Sequence, residues 1–144
     1  MLKGIDPLLN PELLKVLAEM GHGDELVIGD ANFPAHAVAS SSVLGYALHM
    51  DCPAPTALRA ILTLFPLDTF EPDPVRCMQV VGDPEQLPAV VMEALPDLKA
   101  EGSGCTGIER FAFYERARRS YAVIRTGELR PYGNFILRKG VVLG

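Results

Sequence analysis

The chain is poor in cysteine, and its cysteines are badly spaced for bracing. Cys52, Cys77 and Cys105 are odd in number, far apart and form no CxxC pair. That argues against a disulfide framework and a CxxC metal site, and it fits reduced thiols in the cytosol. No apolar run approaches the ~20 residues that span a bilayer. The opening Met1-Leu2-Lys3-Gly4-Ile5-Asp6-Pro7 has no signal-peptide apolar core. A cytoplasmic protein with no membrane partner is the expectation. The sequence has no Walker loop, GxSxG or HExxH, which sets aside common nucleotide-binding, hydrolase and zinc-protease readings. It also lacks positive charge, with 13 Lys and Arg against 18 Asp and Glu, so no nucleic-acid partner is expected. There is no internal repeat, no low-complexity segment and no linker long enough to divide domains.

What is present is an ordinary globular balance, 49% apolar and 22% charged over 144 residues. That length suits one domain, 1–144, with a real core. The stretch from Met20 to Pro34 organises the rest. Gly21 and Gly23 bracket His22 in a tight loop, Leu26-Val27-Ile28 reads as a buried strand, and Asp30 follows at its carboxyl end. Ligands bind at that end in open α/β sheets. A strand of four or five residues is roughly 13–17 Å long, so His22 and Asp30 stand too far apart to hold one small ligand. Either the loops curl back or another subunit completes the site.

Asn10-Pro11-Glu12 is a helix start, with a capping side chain, proline at the first helical position and an acid in the first turn. Leu13, Val16, Leu17 and Met20 make its buried face. Val43 to Met50 reads as a strand, Pro53 and Pro55 as breaks, and Thr56 to Phe65 as a helix that Pro66 ends. Val75 to Val81 reads as a strand. Asp83-Pro84-Glu85 repeats the helix-start pattern, with Pro88 a cause of a late start or a kink. The helix then runs towards Leu95, and Pro96 to Gly107 is a loop. Ile108 to Arg119 is a helix, followed by strands at Tyr121 to Ile124 and Phe135 to Leu137. Strands alternating with helices predict a three-layer α/β/α domain with a mainly parallel sheet.

Three constellations could carry chemistry. His22 reads either as a general acid or base, since histidine has a reference pKa near 6.5, or as a polar loop residue. Asp30 reads either as a ligand for sugar hydroxyls or as a loop cap. His22, Asp30 and His36 lack the short HxH or HxxxH spacing of a metal set. Arg110 stands apart from Arg116, Arg118 and Arg119, at the start of its helix. Tyr132 and Asn134, two apart on entering a strand, should point the same way and suit a polyol. Pro131-Tyr132-Gly133-Asn134 is also ordinary turn chemistry.

As an ordered set, these stretches resemble the ribose pyranase and L-fucose mutarotase family, its fucose mutarotase branch above all. The resemblance rests on Met1-Leu2-Lys3-Gly4-Ile5, on Pro11 to Glu25 with Gly21-His22-Gly23, and on Asp30-Ala31-Asn32-Phe33-Pro34. It rests further on Arg110-Phe111-Ala112-Phe113-Tyr114-Glu115-Arg116-Ala117, Thr126-Gly127-Glu128 and Tyr132-Gly133-Asn134. It implies an α/β fold, no cofactor and no metal, and interconversion of sugar anomers. The residue matching His22 would be the catalytic acid/base, and those matching Asp30, Arg110, Tyr132 and Asn134 would bind the monosaccharide. It also implies a cyclic homo-oligomer with sites at subunit contacts. Pyranose–furanose interconversion of ribose is the enzymatic alternative. A non-catalytic monosaccharide-binding oligomer and a ligand-free scaffold are the others.

Overall fold

A computed structural model describes residues 1–144. Six strands and five helices follow one another as α1 (Pro11–Glu19), β1 (Glu25–Gly29), α2 (Ala35–Ala39), β2 (Ala47–Met50), α3 (Ala54–Leu62), β3 (Val75–Met78), α4 (Ala89–Ala100), β4 (Thr106–Ile108), α5 (Arg110–Arg118), β5 (Ala122–Thr126) and β6 (Phe135–Arg138). The strands form one sheet in the order β2-β5-β1-β6-β3-β4. The pairs β1–β5, β2–β5 and β3–β4 are parallel, while β6 runs antiparallel to both β1 and β3. The sheet is therefore mainly parallel, with one reversed strand inside it.

Strand alternation divides the core into two layers. Leu26 and Ile28 of β1, Ala122 and Ile124 of β5, and Phe135 and Leu137 of β6 face a large cluster with α1, α3 and α4. Their intervening neighbours Val27, Val123 and Ile136 face a smaller cluster with α2 and α5. Leu26, Val27 and Ile28 are all fully buried, as a central strand covered on both faces requires. The expected α/β/α sandwich is the observed one. No helix is long and apolar enough to cross a membrane.

The start of α1 follows its sequence signal: the Asn10 side chain accepts from the Leu13 amide at 2.9 Å, with Pro11 next in line. Several other boundaries differ from expectation, each for a local reason. Val43 to Tyr46 is irregular, and β2 begins only at Ala47. Pro55 does not break the chain but sits in the first turn of α3, where no intrahelical donor is needed. Asp83-Pro84-Glu85 forms a turn instead of a helix start, and α4 begins after Pro88, itself in extended conformation. A proline disfavours helical backbone at the residue before it, so Leu87 cannot belong to α4. Pro96 lies inside α4, which continues to Ala100. The carbonyl that loses its partner there belongs to Met92, whose surroundings are solvent-exposed. The supposed loop also contains β4. Gly102-Ser103-Gly104-Cys105-Thr106-Gly107 has the letter spacing GxGxxG, but it leads from a helix into a strand. A dinucleotide fingerprint needs the reverse order.

Helix α5 is anchored in the smaller core cluster by Phe113 and Ala117. Phe113 is fully buried and meets Phe33 edge to face at 5.9 Å. Phe113→Ala should lower unfolding free energy by about 3–5 kcal/mol, read from urea denaturation. Phe111→Ala, on the exposed face of the same helix, should change it by no more than ~0.5 kcal/mol.

Candidate active site

His22 stands in the turn between α1 and β1, at the amino end of β1. Lys139, just after β6, donates through Nζ to the free carbonyls of Leu17 and Met20 at 2.7 and 2.5 Å, closing the end of α1. Asp24 accepts from the Gly21 amide at 2.7 Å, and the Gly23 amide donates to the Lys139 carbonyl at 2.8 Å. Gly23 has φ +88°, which costs little only for glycine. The turn is thus anchored to β6 before the imidazole meets anything.

The ring opens onto a cleft of about 630 Å³ whose walls include Glu25, Asp68, Phe70, Glu71, Arg116 and Arg138. Its Nε2 lies 3.1 Å from Asp68 Oδ1, and its ring meets that of Phe70 at 4.7 Å between centroids, nearly perpendicular. The guanidinium groups in the cleft are matched by acids. Arg116 makes a forked contact with Glu25, with Nη2 2.6 Å from Oε2, and Arg138 pairs with Glu71 and, at 3.9 Å, with Asp68. The Asp68 side chain is only 3% exposed. Its carboxyl is held below the usual range by the Phe70 amide first, then by His22 and Arg138, against an opposing effect of burial.

Asp30, Tyr132 and Asn134 meet at the other end of β1. The Asp30 amide donates to Asn134 Oδ1 at 2.9 Å, and Asp30 Oδ1 accepts from the Asn32 amide at 3.0 Å. Asn134 Nδ2 points to the Met78 sulfur at 4.0 Å. Gly133 lets these parts close together, because a Cβ there would stand 2.9 Å from Glu128 Cγ and 3.5 Å from Asp30 Cβ. Tyr132 and Asn134 precede β6 and do not belong to it, so strand alternation does not align them. Tyr132 instead adopts φ +62°, an unusual state for a bulky residue and a frequent mark of a functional loop. Its hydroxyl accepts from the Val81 amide at 3.1 Å.

Across the Val80–Val81 loop lies Arg110, in a pocket of about 330 Å³ with Gln79, Glu109 and Phe111. Glu109 caps α5 by accepting from the Phe111 and Ala112 amides. The Arg110 guanidinium lies over the Phe111 ring at 4.6 Å, and its Nε is buried with no hydrogen-bond partner. Asp30, Tyr132, Asn134 and Arg110 therefore gather at one end of the sheet, and His22 stands at the other. His36 packs beside His49 at 5.1 Å. No group of three or more His, Cys, Asp and Glu side chains is arranged to hold a metal ion.

Two residues of these sites are not evident from the sequence. Asp68 is 46 positions from His22 and belongs to no motif. Glu128 braces the Asp30 loop: its carbonyl accepts from the Ala31 amide at 2.8 Å, and its buried carboxylate accepts from Arg130 Nη2 at 2.9 Å. The Thr126-Gly127-Glu128 run was its only signal.

Burial raises the Asp30 carboxyl above its ordinary value, although the amides of Asn32, Phe33 and Gly133 and the Asn134 side chain pull the other way. The folded state then holds that proton more tightly than the unfolded chain, so Asp30 costs stability at neutral pH. The cost disappears as pH falls through the elevated folded value towards the ordinary carboxylate value. Asp30→Asn should accordingly melt at or above the wild-type temperature at pH 7, and the advantage should shrink in acid. Calorimetry of both proteins from pH 7 to pH 4 checks this, and a less stable variant at pH 7 would contradict it.

The chain matches the RbsD / FucU transport protein family over residues 3–142. It is 47% identical to an L-fucose mutarotase of Actinobacillus pleuropneumoniae serotype 5b, covering 98% of this chain and 97% of the relative. The crystal structure of a fucose mutarotase from Streptococcus pneumoniae in complex with L-fucose superposes with TM-score 0.87 at 38% identity, over 99% of this chain and 100% of that one. Bacillus subtilis RbsD complexed with D-ribose shares the fold at TM-score 0.71 and 23% identity, over 99% and 100%. By extent of match and by identity, the chain belongs to the RbsD / FucU family.

Proposed function

We propose that the protein is a cytoplasmic sugar mutarotase of carbohydrate metabolism. It interconverts the α and β anomers of L-fucose, or of a closely similar monosaccharide, by acid–base opening and closing of the ring. The observation that carries this reading is the near full-length kinship, at 47% identity, with proteins named L-fucose mutarotase. In this reading 1–144 is one mutarotase-like domain. His22 is the catalytic acid/base, and Asp30, Arg110, Tyr132 and Asn134 bind the sugar.

The residues suit those tasks. A base takes the proton of the anomeric hydroxyl, the bond from the anomeric carbon to the ring oxygen breaks, and the ring oxygen takes up a proton. The free aldehyde turns and the ring recloses on its other face. One proton moves from one oxygen to the other, and His22 carries it directly or through a water. Positioned acid–base groups give about 10²–10⁴-fold, a useful gain on a reaction that already proceeds in water. Asp30 and Asn134 offer acceptors and donors to hydroxyls. The buried, unpartnered Nε of Arg110 is a donor that a sugar oxygen would satisfy, relieving a cost of about 1–3 kcal/mol.

A five-residue strand separates the two groups of residues, roughly 16 Å at 3.3 Å per residue. We infer that the working site forms where the His22 cleft of one copy meets the Asp30 pocket of another. Such a head-to-tail contact gives a closed ring when its rotation closes. The relative bound to D-ribose lends ribose only a shared fold at 23% identity, so pyranose–furanose exchange of ribose stands second.

Magnetisation transfer between the two anomeric protons of L-fucose should show faster exchange with the protein, unchanged after chelator treatment. Saturation transfer without faster exchange would mark a binder, and neither effect a scaffold. His22→Gln should lower kcat strongly and leave KM within a few fold, whereas Asn134→Ala should mainly raise KM. Composite sites make a sharper prediction. Co-expressed His22→Gln and Asp30→Asn chains, each nearly inactive alone, should together regain about one quarter of wild-type activity, because a quarter of random contacts pair two intact halves. No recovery would place the whole site in one chain.

A further inference from the structure

We propose that Asp68 is the positioning residue for His22: its carboxylate holds the Nε2–H edge of the imidazole, which leaves Nδ1 as the nitrogen that exchanges a proton with the sugar. This rests on the reading of His22 as the acid/base.

The first support is satisfaction of a buried charge. An aspartate this well buried needs donors on its oxygens, and Oδ1 has two in reach: the Phe70 amide at 3.0 Å and His22 Nε2 at 3.1 Å. An ionised carboxylate only accepts, so the nitrogen facing it must carry hydrogen. In a neutral imidazole the other nitrogen is then bare, and Nδ1 has no hydrogen-bond partner within the chain. The Phe70 ring packs against the imidazole at 4.7 Å between centroids, nearly perpendicular to it. The low-lying titration of Asp68 agrees with a carboxylate that stays ionised in this setting.

The second support is that adjacent residues at the end of β6 anchor both partners through the main chain. The Arg138 carbonyl accepts from the Asp68 amide at 3.0 Å, and the Lys139 carbonyl accepts from the Gly23 amide at 2.8 Å. Leu67 also bridges to Lys139. Gly140 packs so closely on this loop that a Cβ there would stand 2.5 Å from the Leu67 carbonyl oxygen. The two side chains are thus set against each other by rigid backbone before any sugar arrives. When Nδ1 takes the anomeric proton, the carboxylate at Nε2 stabilises the imidazolium that forms. When Nδ1 returns the proton to the ring oxygen, the pair is restored. The logic is that of an acid that orients a histidine base without itself taking the proton.

Long-range nitrogen–proton NMR of ¹⁵N-histidine protein tests this, with His22 assigned among the three histidines by comparison with His22→Gln. The expected result for the wild type at about pH 8, where a neutral imidazole is the ordinary form, is hydrogen on Nε2 and a bare Nδ1. The Nδ1–H tautomer would overturn the proposal even if no Asp68 variant folds. Asp68→Asn should populate both tautomers and lower kcat for fucose anomer exchange by about 10–100-fold, with KM within about threefold. Asp68→Glu, which keeps a carboxylate, should recover part of that loss. An Asp68→Asn protein that melts earlier but keeps the wild-type tautomer and kcat would reduce Asp68 to a structural residue and overturn the proposal. Wild-type protein that leaves anomer exchange at its buffer rate would instead overturn the mutarotase reading, whatever the tautomer.

Discussion

The burial of Leu26, Val27 and Ile28 along β1 governs this molecule. Leu26, Val27 and Ile28 have no contact with solvent, because helices cover both faces of the sheet and β5 and β6 flank the strand. Such a strand can offer chemistry only at its two ends, where the chain emerges into loops. His22 lies before it and Asp30 after it, and the strand between them sets a separation that no side chain in one copy spans. Neither end can be moved without unpacking the core. The division of the candidate functional groups between opposite ends of the sheet therefore follows from hydrophobic burial.

The reversed strand β6 gives both ends the same support. Parallel crossovers alone would bring each chain segment back to the same edge of the sheet. Because β6 runs the other way between β1 and β3, its entry carries Tyr132, Gly133 and Asn134 to the Asp30 end. Its exit carries Arg138 and Lys139 to the His22 end. Four residues of strand thus connect the Asp30 end with the histidine cleft. The ladder with β1, from Ile28 opposite Phe135 to Glu25 opposite Arg138, fixes how far apart they stand.

Much of this was legible in the sequence where the signal was local. The Asn10-Pro11-Glu12 cap, the buried run at Leu26-Val27-Ile28 and the flanking His22 and Asp30 need only neighbouring residues to be recognised, and the structure has each in the expected element. The separation of His22 from Asp30 was legible too, since it follows from strand length alone. Signals that depended on competition between prolines misled. Asp83-Pro84-Glu85 has helix-start letters, but Pro88 denies Leu87 a helical backbone, while Pro96 is tolerated because the rest of α4 packs through Val90, Val91, Ala94 and Leu98. The Tyr132 and Asn134 pairing was legible as composition but not as geometry, because the left-handed backbone at Tyr132 replaces the alternation of a strand. Asp68 was illegible: its meaning comes from a bridge between the loop after α3 and the end of β6, a contact with no local trace.

The two carboxylates sit in opposite electrostatic settings at the two ends of the sheet. Asp30 is surrounded by amides and apolar atoms, and burial outweighs those donors, so its charged form is disfavoured. Asp68 faces an amide, an imidazole and a guanidinium, and its charged form is favoured. Environments that push like groups apart in this way separate acid–base roles. A carboxyl with a disfavoured charge gains most when hydroxyl donors arrive, which suits holding a sugar. A carboxylate whose charge is secure suits holding a histidine that must gain and lose a proton. On the proposed contact between copies, the first group would meet the second across one sugar. In that reading the stability cost at Asp30 sits where incoming hydroxyls would offset it, and Asp68 already has its donors before a sugar binds.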